Sequence, residues 1–137
     1  MHDRPTALEL LEAVRHFLEA EAMPALEGTK KFHARVAANV LAIVARELRS
    51  ESAQLSAERQ RLRDLLGEGA GESTHDQAEL KRGVRSATKL LCERIRSGDA
   101  DAGAWRPAVF AHVRQTVIDK LAVANPKFLG AGGEDGL

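Results

Sequence analysis

The residues that could do chemistry are few and badly spaced for it. The histidines are His2, His16, His33, His75 and His112, and no two stand in the His-x-x-x-His pattern that puts two imidazoles on one helix face. Cys92 is the lone cysteine, so neither Cys-x-x-Cys nor an internal disulfide is available. A di-iron bundle site would need Glu-x-x-His on two helices, and the chain has none. Gly67-x-Gly-x-Gly imitates a phosphate loop, but it lacks the Gly-Lys-Ser/Thr ending and follows a helical pattern. It reads as a linker. No Gly-x-Ser-x-Gly occurs, and Cys92 sits between Leu91 and Glu93 in a helix interior, away from the N-terminal amides that activate a thiol. The expectation is therefore a protein with no catalytic residues, no metal and no cofactor of its own.

The polar set with a pattern lies between Lys30 and Leu48. Arg35, Asn39 and Arg46 recur at i, i+4 and i+11, a single stripe on a segment otherwise rich in Ala, Val, Leu and Ile. Such a stripe is either a solvated face, paired with acids of the first helix such as Glu19, or a contact for a partner or ligand. Spacing alone leaves both open.

The elements that must carry these residues read as helices throughout. Thr6 and Glu9 have capping-box spacing ahead of an apolar stripe at Leu8, Leu11, Val14 and Leu18. Pro24 stops or kinks that helix near Ala22, and Gly28 closes the short segment that follows. The central helix begins near Lys30, with one inward stripe at Phe32, Val36, Val40 and Ile43 and a second at Ala37, Leu41, Val44 and Leu48. It either continues past Ser50 or breaks there, and the Ala53–Leu66 segment reads as a peripheral amphipathic helix. Ser73 or Thr74 is the expected cap of a helix running to about Arg96, striped by Leu80, Val84, Ala87, Leu91 and Ile95. The last helix should span about Ala104 to Ala122, with Val109 or Phe110, Val113, Val117 and Leu121 inward. No segment alternates cleanly enough to be a strand. The predicted fold is all-α, an antiparallel bundle of four to five helices, with residues 1–129 as one domain and 130–137 as a disordered tail.

Composition sets outer limits. The 137 residues include 20 basic and 20 acidic side chains, so no general basic field marks a nucleic-acid binder. Residues 1–29 carry two basic and six acidic groups, and residues 30–66 carry eight basic and four acidic. An acidic first helix packed on a basic second one is the expectation. Aromatic residues make up 4% and Tyr is absent, which suits a Leu/Val/Ala helical core better than a β-sandwich. The polar start and the lack of an apolar run predict neither a signal peptide nor a membrane span, hence a cytoplasmic protein.

Two segments carry a resemblance. Pro24–Gly28 followed by Phe32–Glu47, and the ending Asp119–Leu129, resemble a bacterial family of small helical proteins of unassigned function. The likeness spans Arg4 to Leu129. It implies a genomic setting beside an aminoglycoside-phosphotransferase-type kinase and an acyl-CoA dehydrogenase, as in a set similar to levulinate (4-hydroxyacyl-CoA) catabolism. This chain would then be the kinase's small partner. The resemblance offers no catalytic residues; it makes His33, Arg35, Asn39, Arg46, Asp119, Lys120, Asn125 and Pro126 noteworthy. The alternatives are a stand-alone binder of an acyl-CoA or other anion, with His33, Arg35, Asn39 and Lys120 lining a pocket, and a homodimer that hides surplus apolar helix surface.

Overall fold

In a computed structural model of the chain, residues 4–67 and 76–131 are described. Among them every regular element is a helix: α1 (Ala7–Phe17), a π-helical turn (Leu18–Ala22), α2 (Met23–Ala25), α3 (Gly28–Leu66), α4 (Gln77–Arg96), α5 (Trp105–Ala124) and α6 (Pro126–Ala131). No described helix is long and apolar enough to cross a membrane.

Local signals account for most helix ends. Thr6 Oγ1 accepts from the Glu9 amide at 3.2 Å while Glu9 Oε2 accepts from the Thr6 amide at 2.7 Å, the predicted capping box. The chain stays helical through Pro24 by widening into the π-turn, and it leaves helical geometry at Leu26. Gly28, at a φ of 53°, then opens α3. Asp76 caps α4 by accepting from the Ala78 amide at 3.1 Å; Ser73 and Thr74, the expected caps, lie outside the described residues. Gly98, at a φ of 90°, follows the end of α4.

α3 is one unbroken helix of 39 residues, about 58 Å long at the standard rise. Ser50 does not start a new element. Its hydroxyl donates to the Arg46 carbonyl at 3.0 Å, one turn back, so it is satisfied inside the helix. α6 carries helix through Gly130 and Ala131, two residues of the predicted tail; residues 132–137 lie outside the described ones.

The chain divides into two compact units, residues 1–50 with 123–125, and residues 51–122 with 126–137. In the first, the buried residues are alanines of α3: Ala34, Ala38 and Ala45. α1 has none. Small residues on this line let another backbone come close, and that decides which face of α3 turns inward. The predicted inward stripe Phe32, Val36 and Val40 points away from it and is about half exposed, with Val40 at 51%. An acid of α1 does reach basic α3, but through Glu12 and Arg49 at 2.6 Å; Glu19 instead binds Arg15 on its own helix.

In the second unit the core is Leu62, Val84, Ala87, Leu91, Ala100 and Val109, with Leu55, Leu65, Leu66, Ile95 and Trp105 against it. The α4 stripe is as predicted. The Ala53–Leu66 segment is not peripheral: Leu62 is the largest fully buried side chain among the described residues. On α5 the inward line is Val109 and His112, whereas Phe110, Val113 and Val117 lie outside, Phe110 at 61% exposure. α5 is apolar on nearly every side, so its periodicity carries no preference between these faces.

Candidate functional site

The predicted polar stripe exists as a line on α3. At about 100° per residue, Arg35, Asn39 and Arg46 fall within about 40° of one another. Arg46 is half-buried and tied down: its Nε donates to the Val123 carbonyl at 2.6 Å, satisfying an acceptor near the C-terminal end of α5. Arg35 and Asn39 are exposed, with no hydrogen bond or ion pair to another described residue. His33, two residues before Arg35 and so on a different side of α3, is also exposed, and its ring lies 5.9 Å from that of Phe32. Asn125 is exposed in the first unit, and Lys120 is exposed in the second.

The second unit holds a polar cluster that the spacing did not single out. Asp119 accepts from Arg61 Nη2 at 2.8 Å and from Gln115 Nε2 at 2.9 Å, and its own carbonyl accepts from Gln54 Nε2 at 3.3 Å. His112 lies one and two turns before Thr116 and Asp119 on α5. It is the buried polar residue among the described ones, at 7% exposure. Burial, with a smaller contribution from the Arg61 charge, pushes its imidazole below the usual histidine range, against a weaker pull from Glu58. His112 Nδ1, Thr116 Oγ1 and Arg61 Nε are buried without a partner among the described residues. This arrangement joins α3 to α5 through the Arg61–Asp119 pair, beside an imidazole whose charged form is disfavoured. The signal for it in the sequence was weak, a lone histidine and an arginine in a charged run, because its bonds cross between helices and join residues 58 and 65 apart in the chain.

A third feature is a cleft of about 480 Å³ in the same unit, walled by Ile95, Ala100, Val109, Phe110 and Val113 and edged by Asp101 and Arg106. Arg106 Nη1 donates to the Asp101 carbonyl at 2.6 Å and the guanidinium stands 5.4 Å from the Phe110 ring centre. The cleft is within the size range of small-ligand sites and mostly apolar, as such sites are. None of His33, Arg35, Asn39 or Lys120 lines it.

Among the described residues no group of three His, Cys, Asp or Glu side chains is placed to hold a metal ion. Cys92 is a free, half-buried thiol on α4.

No curated protein and no solved structure matches the chain. A family match covers residues 24–128, taking in the whole of α3, α4 and α5 together with the polar stripe and the His112 cluster. By that match the chain belongs to the family described as a domain of unknown function, DUF6285.

Proposed function

We propose that this chain is a non-catalytic accessory subunit. It supports an aminoglycoside-phosphotransferase-like kinase acting on a (hydroxy)acyl-CoA, in acyl-CoA catabolism in the cytoplasm, with the associated acyl-CoA dehydrogenase as a further contact. The named partners rest on the resemblance of Pro24–Gly28, Phe32–Glu47 and Asp119–Leu129. The structural observation that supports a docking role is the pair Arg35 and Asn39, exposed and without a bond to another described residue, on the Lys30–Leu48 stretch of α3, whose other residues are mostly Ala, Val, Leu and Ile. Arginine is suited to forked recognition of carboxylates and phosphates, and asparagine beside it both donates and accepts. Asn125 is exposed in the same unit, and Arg46 positions α3 through its bond to Val123.

Co-expression with the neighbouring kinase tests this. The two chains should co-purify, and Arg35→Ala with Asn39→Ala should weaken the complex at least tenfold without changing the helix content. A kinase fully active alone, and never retained by this chain, would end the reading.

A small-ligand role is favoured by a different observation, the apolar cleft edged by Asp101 and Arg106. A CoA ester or short acyl carboxylate held there would raise the melting temperature, and Arg106→Ala would abolish that shift. A flat thermal profile across CoA, acyl-CoA and free acids would remove this reading and leave the docking one untouched.

A further inference from the structure

α5 presents two unlike sides. Val109 and His112 are buried in the second unit, and Asp119, the one acid of the helix, is held by Arg61. On the far side Phe110, Val113 and Val117 recur at i, i+3 and i+7, within about 60° of one another. All three are about half exposed or more, a run of large apolar side chains left to solvent. Phe110 and Val113 also wall the cleft, so stripe and cleft are one continuous apolar surface. The rim of this surface is basic. Arg106, Arg114 and Lys120 lie within about 70° of the centre of the stripe, and all three are exposed. Arg106 bonds to the Asp101 carbonyl, while the Asp101 carboxylate turns back over Gly98, with Oδ2 3.2 Å from the place a Cβ would take there. Arg114 and Lys120 bond to no other described residue, and no described acid pairs with any of the three.

We propose that this surface docks an acidic amphipathic helix of a partner protein, which lays its apolar face along Phe110, Val113 and Val117. Charge and shape together select that occupant. The cations run from Arg106 to Lys120, fourteen residues or about 21 Å of helix. A small ligand with one anionic group meets only one of them, whereas a helix of four turns carries carboxylates past all three. The cleft is a concavity beside Phe110, so it takes a protruding apolar side chain as an anchor. A flat lipid surface leaves that concavity unfilled, and a nucleic acid would set its phosphates against Val113 and Val117. A second copy seated on the same face brings cation against cation. One helix laid on another buries less than a standard interface, so the contact is weak and reversible, and the charges at its edge set its specificity. The surface lies wholly in the second unit, so the inference does not rest on the docking role of Arg35 and Asn39.

Fluorescence anisotropy of a designed helical peptide against the full chain tests the proposal. The peptide has about 15 residues, or four turns. Leucines at i, i+3 and i+7 form its apolar face and glutamates flank them; a control peptide carries lysines in place of the glutamates. The glutamate peptide should bind saturably below a few hundred micromolar and more weakly as salt rises, and the lysine peptide should not bind. Val113→Asp, at an exposed position, should abolish binding with unchanged helical circular dichroism. Arg114→Glu with Lys120→Glu, both outside the cleft, should weaken binding at least tenfold and transfer it to the lysine peptide. A small ligand confined to the cleft would not respond to that pair of changes. No saturable binding of the glutamate peptide, equal binding of the lysine peptide, or insensitivity to either variant each overturns the proposal. So does retention on phosphatidylserine vesicles without peptide binding, which assigns the face to a membrane. Kinase capture is read separately, with Arg35→Ala and Asn39→Ala, so loss of this surface and loss of the docking role are distinct results.

Discussion

Arg61 on α3 donates through Nη2 to the Asp119 carboxylate on α5 at 2.8 Å, across 58 residues of chain. Both side chains are about a quarter exposed, so the pair is partly screened and its worth lies below that of a fully buried ion pair. Asp119 also accepts from Gln115, while Arg61 already has a buried Nε without a partner among the described residues. Removing the acid therefore leaves a half-buried cation with less to hold it. Asp119→Ala is expected to cost about 1–3 kcal/mol, from the loss of charge-assisted hydrogen bonds, seen as a lower urea midpoint. Asp119→Asn, which keeps an acceptor, should cost less.

His112 makes stability pH-dependent in a defined direction. Its folded-state pKa is lowered, chiefly by burial and then by Arg61, so below about 6.5 the unfolded chain takes up a proton that the folded one resists. The stability from a neutral His112 is complete above that pH and is lost as pH falls from there toward the lowered value. Urea midpoints at pH 7.5 and 5.5 should show this slope, and His112→Gln should flatten it. An equal slope in both proteins would show that another group carries it.

Ala38, at 3% exposure, lies in the alanine seam of the first unit. Ala38→Leu forces three extra carbons into a close approach and should destabilise by about 1–3 kcal/mol. Val36→Ala, on the opposite and exposed side of α3, should cost the folded chain much less. Thermal unfolding of the two variants beside wild type separates the faces; a larger loss for Val36→Ala would mean that the seam is misassigned.

Trp105 ties the start of α5 to the end of α3. Its Nε1 donates to the Leu65 carbonyl at 2.9 Å, and the Arg94 guanidinium stands 4.1 Å from the ring centre. Trp105→Phe removes a bond to a carbonyl in the last turn of α3, and a loss of about 1–2 kcal/mol is expected. Since Trp105 is the only tryptophan, the wild type's own fluorescence should track unfolding of the second unit. Circular dichroism provides the comparison for the variant.

The candidate site was only partly legible before the fold. Arg35, Asn39 and Arg46 were visible as a line, because helical spacing alone puts them there. Arg46 looked equivalent to the other two, and only the arrival of Val123 distinguishes it as a structural tie. Arg61, His112 and Asp119 had no shared pattern. A cluster assembled from separate helices leaves no periodic trace in the chain.

What the sequence by itself determined is local. Thr6 and Glu9 make a capping box wherever the helix goes, Gly98 ends α4 because it adopts positive φ readily, and the α4 stripe is inward because its opposite face is charged. These follow from hydrogen bonds and side-chain spacing within a few turns. What only the tertiary structure decided is which way the apolar helices face. α3 offers bulky residues on one line and alanines on another, and the fold turns the alanines inward at Ala34, Ala38 and Ala45. On α5, Val109 and His112 face the core while Phe110, Val113 and Val117 do not. A helix apolar on most sides has little intrinsic preference among its faces. The choice belongs to the neighbours, through how closely their backbones can approach and which buried donors and acceptors they satisfy.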